Sequence, residues 1–399
     1  MRRPEFSTWL GHLVPVVRTS PGLQPGVSSQ LNSSSPGRGD TLAAPRCVAP
    51  SGLGQIARHA TPGSSPGLLL VIAFLFGMVA PLLQSTDLLA EDTPPRFVKT
   101  NRILLDVGPA GSFDSCQAKY PSILKVGDQW WMWYNGRTDD CFTGSIGLAT
   151  SRDGLSWTKA NNGKPIFKHG PPGTFDSTKI DHPAVLHFGG KFHMWYTAGD
   201  DASRYKIGYA TSDDGLSWTR QNDSRPVLGP GRRGKFDDRV VLHPAVVRDD
   251  EGTLHMWYNG DGATGSFRVG HATSRDGIRW TRQNNGDPVL EPSTVGDFEE
   301  YYVYNVHVRY VDGTFHMWYS AAKEDYGSGG HNCLTYATSR DGTRWRKDST
   351  PTLISGPPGS IDQYATFACY VIERDDGLWM YYSAADKKET YRVSLAREE

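Results

Sequence analysis

The chain is poor in cysteine, with 5 in 399 residues, and none of them has the paired spacing of a zinc site. A cysteine-held metal module is therefore excluded. Residues 91–399 contain no block of Lys or Arg, and across the whole chain 42 basic residues face 43 acidic ones. No electrostatic footprint for nucleic acid is present. Helical periodicity of useful length is missing from 91–399, which argues against bundles and α/β architectures. Long hydrophobic runs are absent but for Gly67 to Leu83, 17 residues without a charge. That run is marginal for a membrane span and long for the core of a signal peptide.

These absences divide the chain. Residues 1–66, rich in Ser, Pro, Gly and Arg, cannot bury enough surface to offset chain entropy and are expected to be disordered. Residues 67–90 read as a signal peptide or a membrane anchor, with membrane attachment through 67–83 in the second case. Residues 91–399 are then one exported domain, periplasmic, extracellular or anchored on the outer side of a membrane. In such a compartment disulfides form, and Cys116 with Cys141, at the same end of one repeat, is the favoured pair.

What the chain does have is repetition. Met132-Trp133-Tyr134, Met194-Trp195-Tyr196, Met256-Trp257-Tyr258, Met317-Trp318-Tyr319 and Met380-Tyr381-Tyr382 recur at spacings of 61 to 63. After each of the first four comes a second signature, typified by Ser151-Arg152-Asp153-Gly154-Leu155-Ser156-Trp157. Before each lies an apolar strand, such as His182-Pro183-Ala184-Val185 and His243-Pro244-Ala245-Val246. Short aromatic and β-branched runs broken by Asp-Gly turns are hairpin signals. Each unit reads as four strands, A to D, with MWY on strand B. Four strands repeated radially make a propeller blade. The fold expected is all-β: a five-bladed β-propeller, four antiparallel strands per blade. The fifth repeat lacks a strand D, and Phe97-Val98-Lys99-Thr100-Asn101, which matches Trp157-Thr158-Lys159-Ala160-Asn161, is expected to supply it and close the ring.

In such a blade the D-to-A and B-to-C connections share one face and the C-to-D turns lie on the other. The near-identical C-to-D turns, and His193, His255 and His316 before three of the MWY motifs, read as structural. So does the acid after Phe or Ile in each D-to-A segment: Asp114, Asp176, Asp237, Glu299 and Asp362. Function is expected where the repeat breaks down. Asp181, Asp238 and Glu300 are the acids particular to one or two copies. Lys119, Lys179, Arg239, His182, His243, Tyr304 and Asn305 stand beside them, and the B-to-C loops add Arg137, Asp139, Asp140, Asp200, Asp261, Lys323, Glu324, Asp325 and His331.

The succession of Pro-Val-Leu, Phe-Asp, His-Pro-Ala-Val, MWY and Ile207-Gly208-Tyr209-Ala210-Thr211-Ser212-Asp213-Asp214-Gly215 over about 96–399 resembles the five-bladed glycosidase propellers: glycoside hydrolase family 43, the invertases and levansucrases, and the family 130 mannoside phosphorylases. The resemblance implies a sugar site on the D-to-A face. It also implies calcium in the central channel, near His182, His243 or His307, against the reading of these as buried histidines satisfied by neighbours. The chain departs from the family 43 and invertase pattern, which has Asp directly before the strand-A Pro. Here Tyr120 and His182 occupy those places, Asp181 is displaced by one, and Leu242 stands where a Glu is expected. Strand alternation would point a displaced side chain to the opposite face.

The expected function is glycoside hydrolysis of an extracellular poly- or oligosaccharide. Asp181, Asp238 and Glu300 form the acid/base set, with His182 and His243 as orienting groups or a substitute acid. Arg137 and Arg239 suit a uronate, sulfate or phosphate, and Lys119, Lys179, Tyr304 and Asn305 complete the binding set. Two alternatives stand beside it: a non-catalytic glycan-binding scaffold, supported by the missing triad, and a family 130-like phosphorylase, which needs one acid plus cations for phosphate.

Overall fold

The computed structural model describes residues 94–138, 144–200, 202, 204–262, 265–293, 298–323 and 332–399. The segments 1–66 and 67–90 lie outside the described residues. No helix among the described residues is long and apolar enough to cross a membrane.

The described chain is built from strands. The first, β1 (Phe97–Leu105), precedes five successive groups. These are β2 (Gln117–Val126), β3 (Gln129–Arg137), β4 (Gly144–Ser151) and β5 (Thr158–Lys159); then β6 (Lys179–Phe188), β7 (Lys191–Gly199), β8 (Tyr205–Ser212) and β9 (Thr219–Arg220). The third is β10 (Val240–Arg248), β11 (Leu254–Asp261), β12 (Arg268–Ser274) and β13 (Thr281–Arg282). The fourth is β14 (Tyr302–Val311), β15 (Thr314–Ala322), β16 (Asn332–Ser339), β17 (Arg346–Lys347) and the short β18 (Leu353–Ile354). The last is β19 (Ala365–Arg374), β20 (Gly377–Ala385) and β21 (Tyr391–Glu398). Within each group consecutive strands pair antiparallel, except that β18 pairs with β16, and β1 pairs antiparallel with β21, with Phe97 opposite Glu398. The first strand thus takes the place of the strand D missing from the fifth repeat.

Side-chain alternation explains the MWY signature. On β3, Met132 and Tyr134 pack against Tyr381, Val393 and Leu395 of the last group, while Trp133 packs with Ile180, Val185 and Met194 of the next. Similar apolar layers separate the other neighbouring groups. Trp133, Trp195 and Trp257 are fully buried, each worth about 5 kcal/mol of transfer free energy at ~200 Å² of ring.

The repeated turn is a hydrogen-bonded device. Ser151 Oγ accepts from Gly154 N–H, Asp153 Oδ1 accepts from Leu155 and Ser156 N–H (2.8 Å each), and Trp157 Nε1 donates to Gly154 O. Gly154, at φ +75°, supplies a left-handed position that a side chain would strain. The same glycine carbonyl ties repeats together. Trp133 Nε1 donates to Gly215 O, Trp195 to Gly277 O and Trp257 to Gly342 O, at 2.9–3.0 Å. Tyr381 of the last group donates its hydroxyl to Gly154 O of the first (2.9 Å). Trp318 has no such turn ahead of it, and its buried Nε1 has no partner among the described residues.

The recurrent D-to-A acid is structural, as its repetition implied. Asp114 accepts from Tyr134 OH and pairs with Lys159, Asp176 with Tyr196 and Arg220, Asp237 with Tyr258 and Arg282, Glu299 with Tyr319 and Lys347. In the last group Asp362 accepts from Tyr382 OH and pairs with Lys99 of β1. Lys99 therefore does for the last group what the strand-D cation does in the others.

Candidate functional site

The innermost strands β2, β6, β10, β14 and β19 contact one another in that order, and β19 contacts β2. Each carries a bulge at one level. Tyr120, His182, His243, Asn305 and Ala368 have φ of +46° to +56°, and the strand register shifts beside each of them. A left-handed non-glycine residue costs about 1 kcal/mol and persists only where its surroundings over-determine it. Here a side chain of the preceding group, or of the strand itself, holds the bulge N–H: Ser383 for Tyr120, Asp181 for His182, Thr197 for His243, Asn259 for Asn305 and Ser320 for Ala368. Bulges of this kind re-aim side chains next to sites.

The bulge residues form a layer. The Tyr120 and His182 rings lie 4.6 Å apart, His182 and His243 stack at 4.8 Å, and Tyr120 lies 5.6 Å from His243. Burial pushes the His182 imidazole down to about 4, with Asp181 partly opposing, and holds His243 well below the usual range. Both are neutral near pH 7. His182 Nδ1, His243 Nδ1 and Asn305 Oδ1 are buried with no hydrogen-bond partner among the described residues. The alternation expected of a strand fails at the bulge, because Asp181, one residue before His182, joins the same cluster instead of facing away from it.

On the D-to-A side of this layer Arg137 forms a buried ion pair with Asp181. Burial pushes the Asp181 carboxyl up, but Arg137 and Lys119 outweigh it and hold it at about 2. Lys119 Nζ lies 4.8 Å from the Tyr120 ring and 4.5 Å from the Tyr391 ring. Burial, then Arg137, lowers its ammonium well below the usual range. Lys179 Nζ bonds to Tyr205 OH at 3.2 Å. Tyr205 packs in turn with Leu242 and Tyr304, whose hydroxyl donates to Asn332 (2.9 Å).

Asp181, Lys119, Arg137, Lys179, His182 and His243 thus come together, with Asn305 in the layer and Tyr304 behind Tyr205. Among the described residues the cluster holds one carboxylate beside three basic side chains. The remaining residues sit in the loops above. Asp238 is half-buried and accepts from Gly234 N–H at 2.7 Å. Glu300 is exposed, 4.0 Å from Lys323. Arg239 is exposed and bonds Gly262 O, 3.8 Å from Asp261. Asp200 is taken by Arg204. Asp139, Asp140, Glu324, Asp325 and His331 lie outside the described residues. Tyr205 and Tyr391, which support the two lysines, were not singled out in the sequence; their only signal was an aromatic opening strand C.

The channel residues do not suit calcium, which takes several oxygen ligands. The carboxylate at the layer is committed to Arg137, its neighbours are imidazoles and cations, and no group of three or more His, Cys, Asp or Glu among the described residues could hold a metal. Cys116 is disulfide-bonded, while Cys333 and Cys369 are free and buried. The partner expected for Cys116, Cys141, lies outside the described residues. On the other side of the layer, toward the A-to-B turns, the innermost strands line a cavity of 660 Å³.

No family model matches the chain. An uncharacterised protein found in two strains of Mycobacterium tuberculosis is 30% identical over 209 residues, 50% of this chain, and the chain spans 66% of that relative's length. A 1,2-β-oligomannan phosphorylase of Thermoanaerobacter sp. (strain X514) is 25% identical over 245 residues, 58% of this chain and 72% of that protein. Among solved structures, that of a glycoside hydrolase aligns with TM-score 0.62 and 20% identity over 76% of this chain and 92% of the other. One described with family 130 mannoside phosphorylases and hydrolases that target β-1,2 mannosidic linkages in Candida mannan aligns at 0.61 and 16% over 77% and 95%. The chain has the all-β fold of glycosidase-type propellers.

Proposed function

We propose that this chain is a carbohydrate-active enzyme that cleaves a glycosidic bond on the D-to-A side of the bulge layer, with phosphate as the acceptor. The observation that carries this reading is the make-up of the buried cluster, which among the described residues sets one carboxylate, Asp181, beside Arg137, Lys119 and Lys179. A hydrolase needs two carboxylates, one to protonate the leaving oxygen and one to activate water or attack. Phosphorolysis needs one, because phosphate is itself the nucleophile and the cations bind it. Asp181 at about 2 is a poor proton donor while Arg137 holds it. A phosphate drawing on Arg137 and Lys119 would compete for that cation and add negative charge, and both effects raise the Asp181 pKa toward a useful value. The likeness to the oligomannan phosphorylase points the same way.

The scaffold of this proposal is a five-bladed ring closed by β1. The circular contact order of the innermost strands, the Tyr381–Gly154 bond and the Lys99–Asp362 pair support it. Hydrolysis remains the second reading, carried by the loop acids Asp238 and Glu300. Incubating the full chain with a panel of oligo- and polysaccharides, with and without phosphate, and separating the products tests both. Sugar 1-phosphate formed only with phosphate supports phosphorolysis, and free sugar at equal rates without phosphate supports hydrolysis. Binding with no product under either condition would overturn both in favour of a glycan-binding scaffold.

A further inference from the structure

The cavity toward the A-to-B turns has no part in the reading above. At 660 Å³ it falls within the range of about 300–1,000 Å³ typical of small-molecule sites. Its floor is the underside of the bulge layer, where the Tyr120 and His182 rings line it. Its walls include Pro121, Pro183 and Pro244, which have no N–H to satisfy, with Val246 and Val308 between them. Toward the mouth stand three cations. Arg309 is paired with Glu373 at 2.6 Å. Lys125 and Arg248 make no ion pair among the described residues; they lie over the Trp130 ring at 5.7 Å and the Phe188 ring at 5.5 Å. The acids of the surrounding turns, such as Asp250 and Asp312, are exposed, where solvent and salt screen them.

An apolar-walled chamber floored by aromatic rings, with uncompensated cations at its mouth, matches a ligand of complementary polarity. We propose that this cavity is a second ligand site, for a saccharide bearing one acidic group. The sugar ring lies against the proline and valine walls beneath the Tyr120 and His182 rings, and the oxyanion meets Lys125 and Arg248. A carboxylate and a phosphate ester share this chemistry.

Calorimetric titration of the full chain with glucuronic acid, glucose 6-phosphate and glucose tests the proposal. One or both acidic sugars should bind at least about tenfold more tightly than glucose, the size of one charge-assisted contact. The tighter of the two identifies the acidic group. In the double variant Lys125→Gln/Arg248→Gln, whose altered side chains are exposed and whose melting temperature should not move, the preference should vanish. Lys179→Gln, on the other side of the layer, should leave it intact. Equal affinity for glucose, a preference that survives the double variant, or one abolished by Lys179→Gln would overturn the proposal. Because the cations around Asp181 would also take an acidic sugar under the proposed function, the titrations are run in the Arg137→Gln background, so that the failure of this site and the failure of that function are read separately.

Discussion

Replacing each repeat tryptophan by phenylalanine tests how neighbouring groups are joined. Trp133, Trp195, Trp257 and Trp318 are all buried to within 1% exposure, so the loss of ring area and the void left behind are alike. They differ in one bond. The first three donate to Gly215, Gly277 and Gly342 carbonyls at 2.9–3.0 Å. The Trp318 N–H has no partner among the described residues, because the last repeat has no turn to offer one. Losing a buried bond costs about 1 kcal/mol net, and removing an unpaired buried donor recovers a penalty of about 1–3 kcal/mol. W318F should therefore be about 2 kcal/mol less destabilising than W133F, W195F or W257F. At roughly 2–4 °C per kcal/mol for a domain of this class, the melting temperatures should separate by about 4–8 °C. Thermal denaturation followed by circular dichroism reads this directly. Four equal losses would refute the reasoning, since the glycine carbonyl would then not be the link between repeats.

Two further outcomes follow from the same geometry. Lys99→Met should lower stability by about 2 kcal/mol, the scale of a hydrogen-bonded charge lost from a buried carboxylate, and should expose β1 to proteolysis; an unchanged urea midpoint would mean that the strand is not docked through Asp362. His182, His243, His271 and His307 all have pKa values lowered first by burial, to about 4 for His182 and about 3 for His271 and His307. The unfolded chain binds protons that the folded chain does not, so stability should fall as pH drops from about 6.5 toward 4, by up to about 1.4 kcal/mol per pH unit for each histidine. Asp181, depressed, adds a loss only below about pH 4. Urea midpoints that stay level between pH 7 and pH 5 would contradict the burial of these rings.

The repeat made the strand plan legible. MWY, the Asp-Gly turns and the match of Phe97–Asn101 to a strand D all follow from period-2 burial and turn chemistry, which are local. The recurrent acids were read as structural for the right reason, and their Tyr and Lys or Arg partners, some 20 and 45 residues away, came only with the fold. The cluster was legible in part. Asp181, Arg137, Lys119 and Lys179 stand out as breaks in the repeat, but their meeting depends on the left-handed bulges at Tyr120 and His182. Alternation cannot foresee those bulges, because nothing in a Tyr-Pro or His-Pro pair fixes φ of the first residue. The cavity beneath the layer escaped for the same reason: it is made of ordinary strand residues whose convergence depends on how the innermost strands meet.

The basic side chains around Asp181 carry the proposed phosphorolysis. The measurement that tests it most directly is the initial rate of glycan cleavage as a function of phosphate concentration, in the full chain and in Arg137→Gln. The rate should rise with phosphate and saturate, sugar 1-phosphate should be the product, and Arg137→Gln should need at least about tenfold more phosphate. A rate indifferent to phosphate, with free sugar as the product, would contradict the assignment.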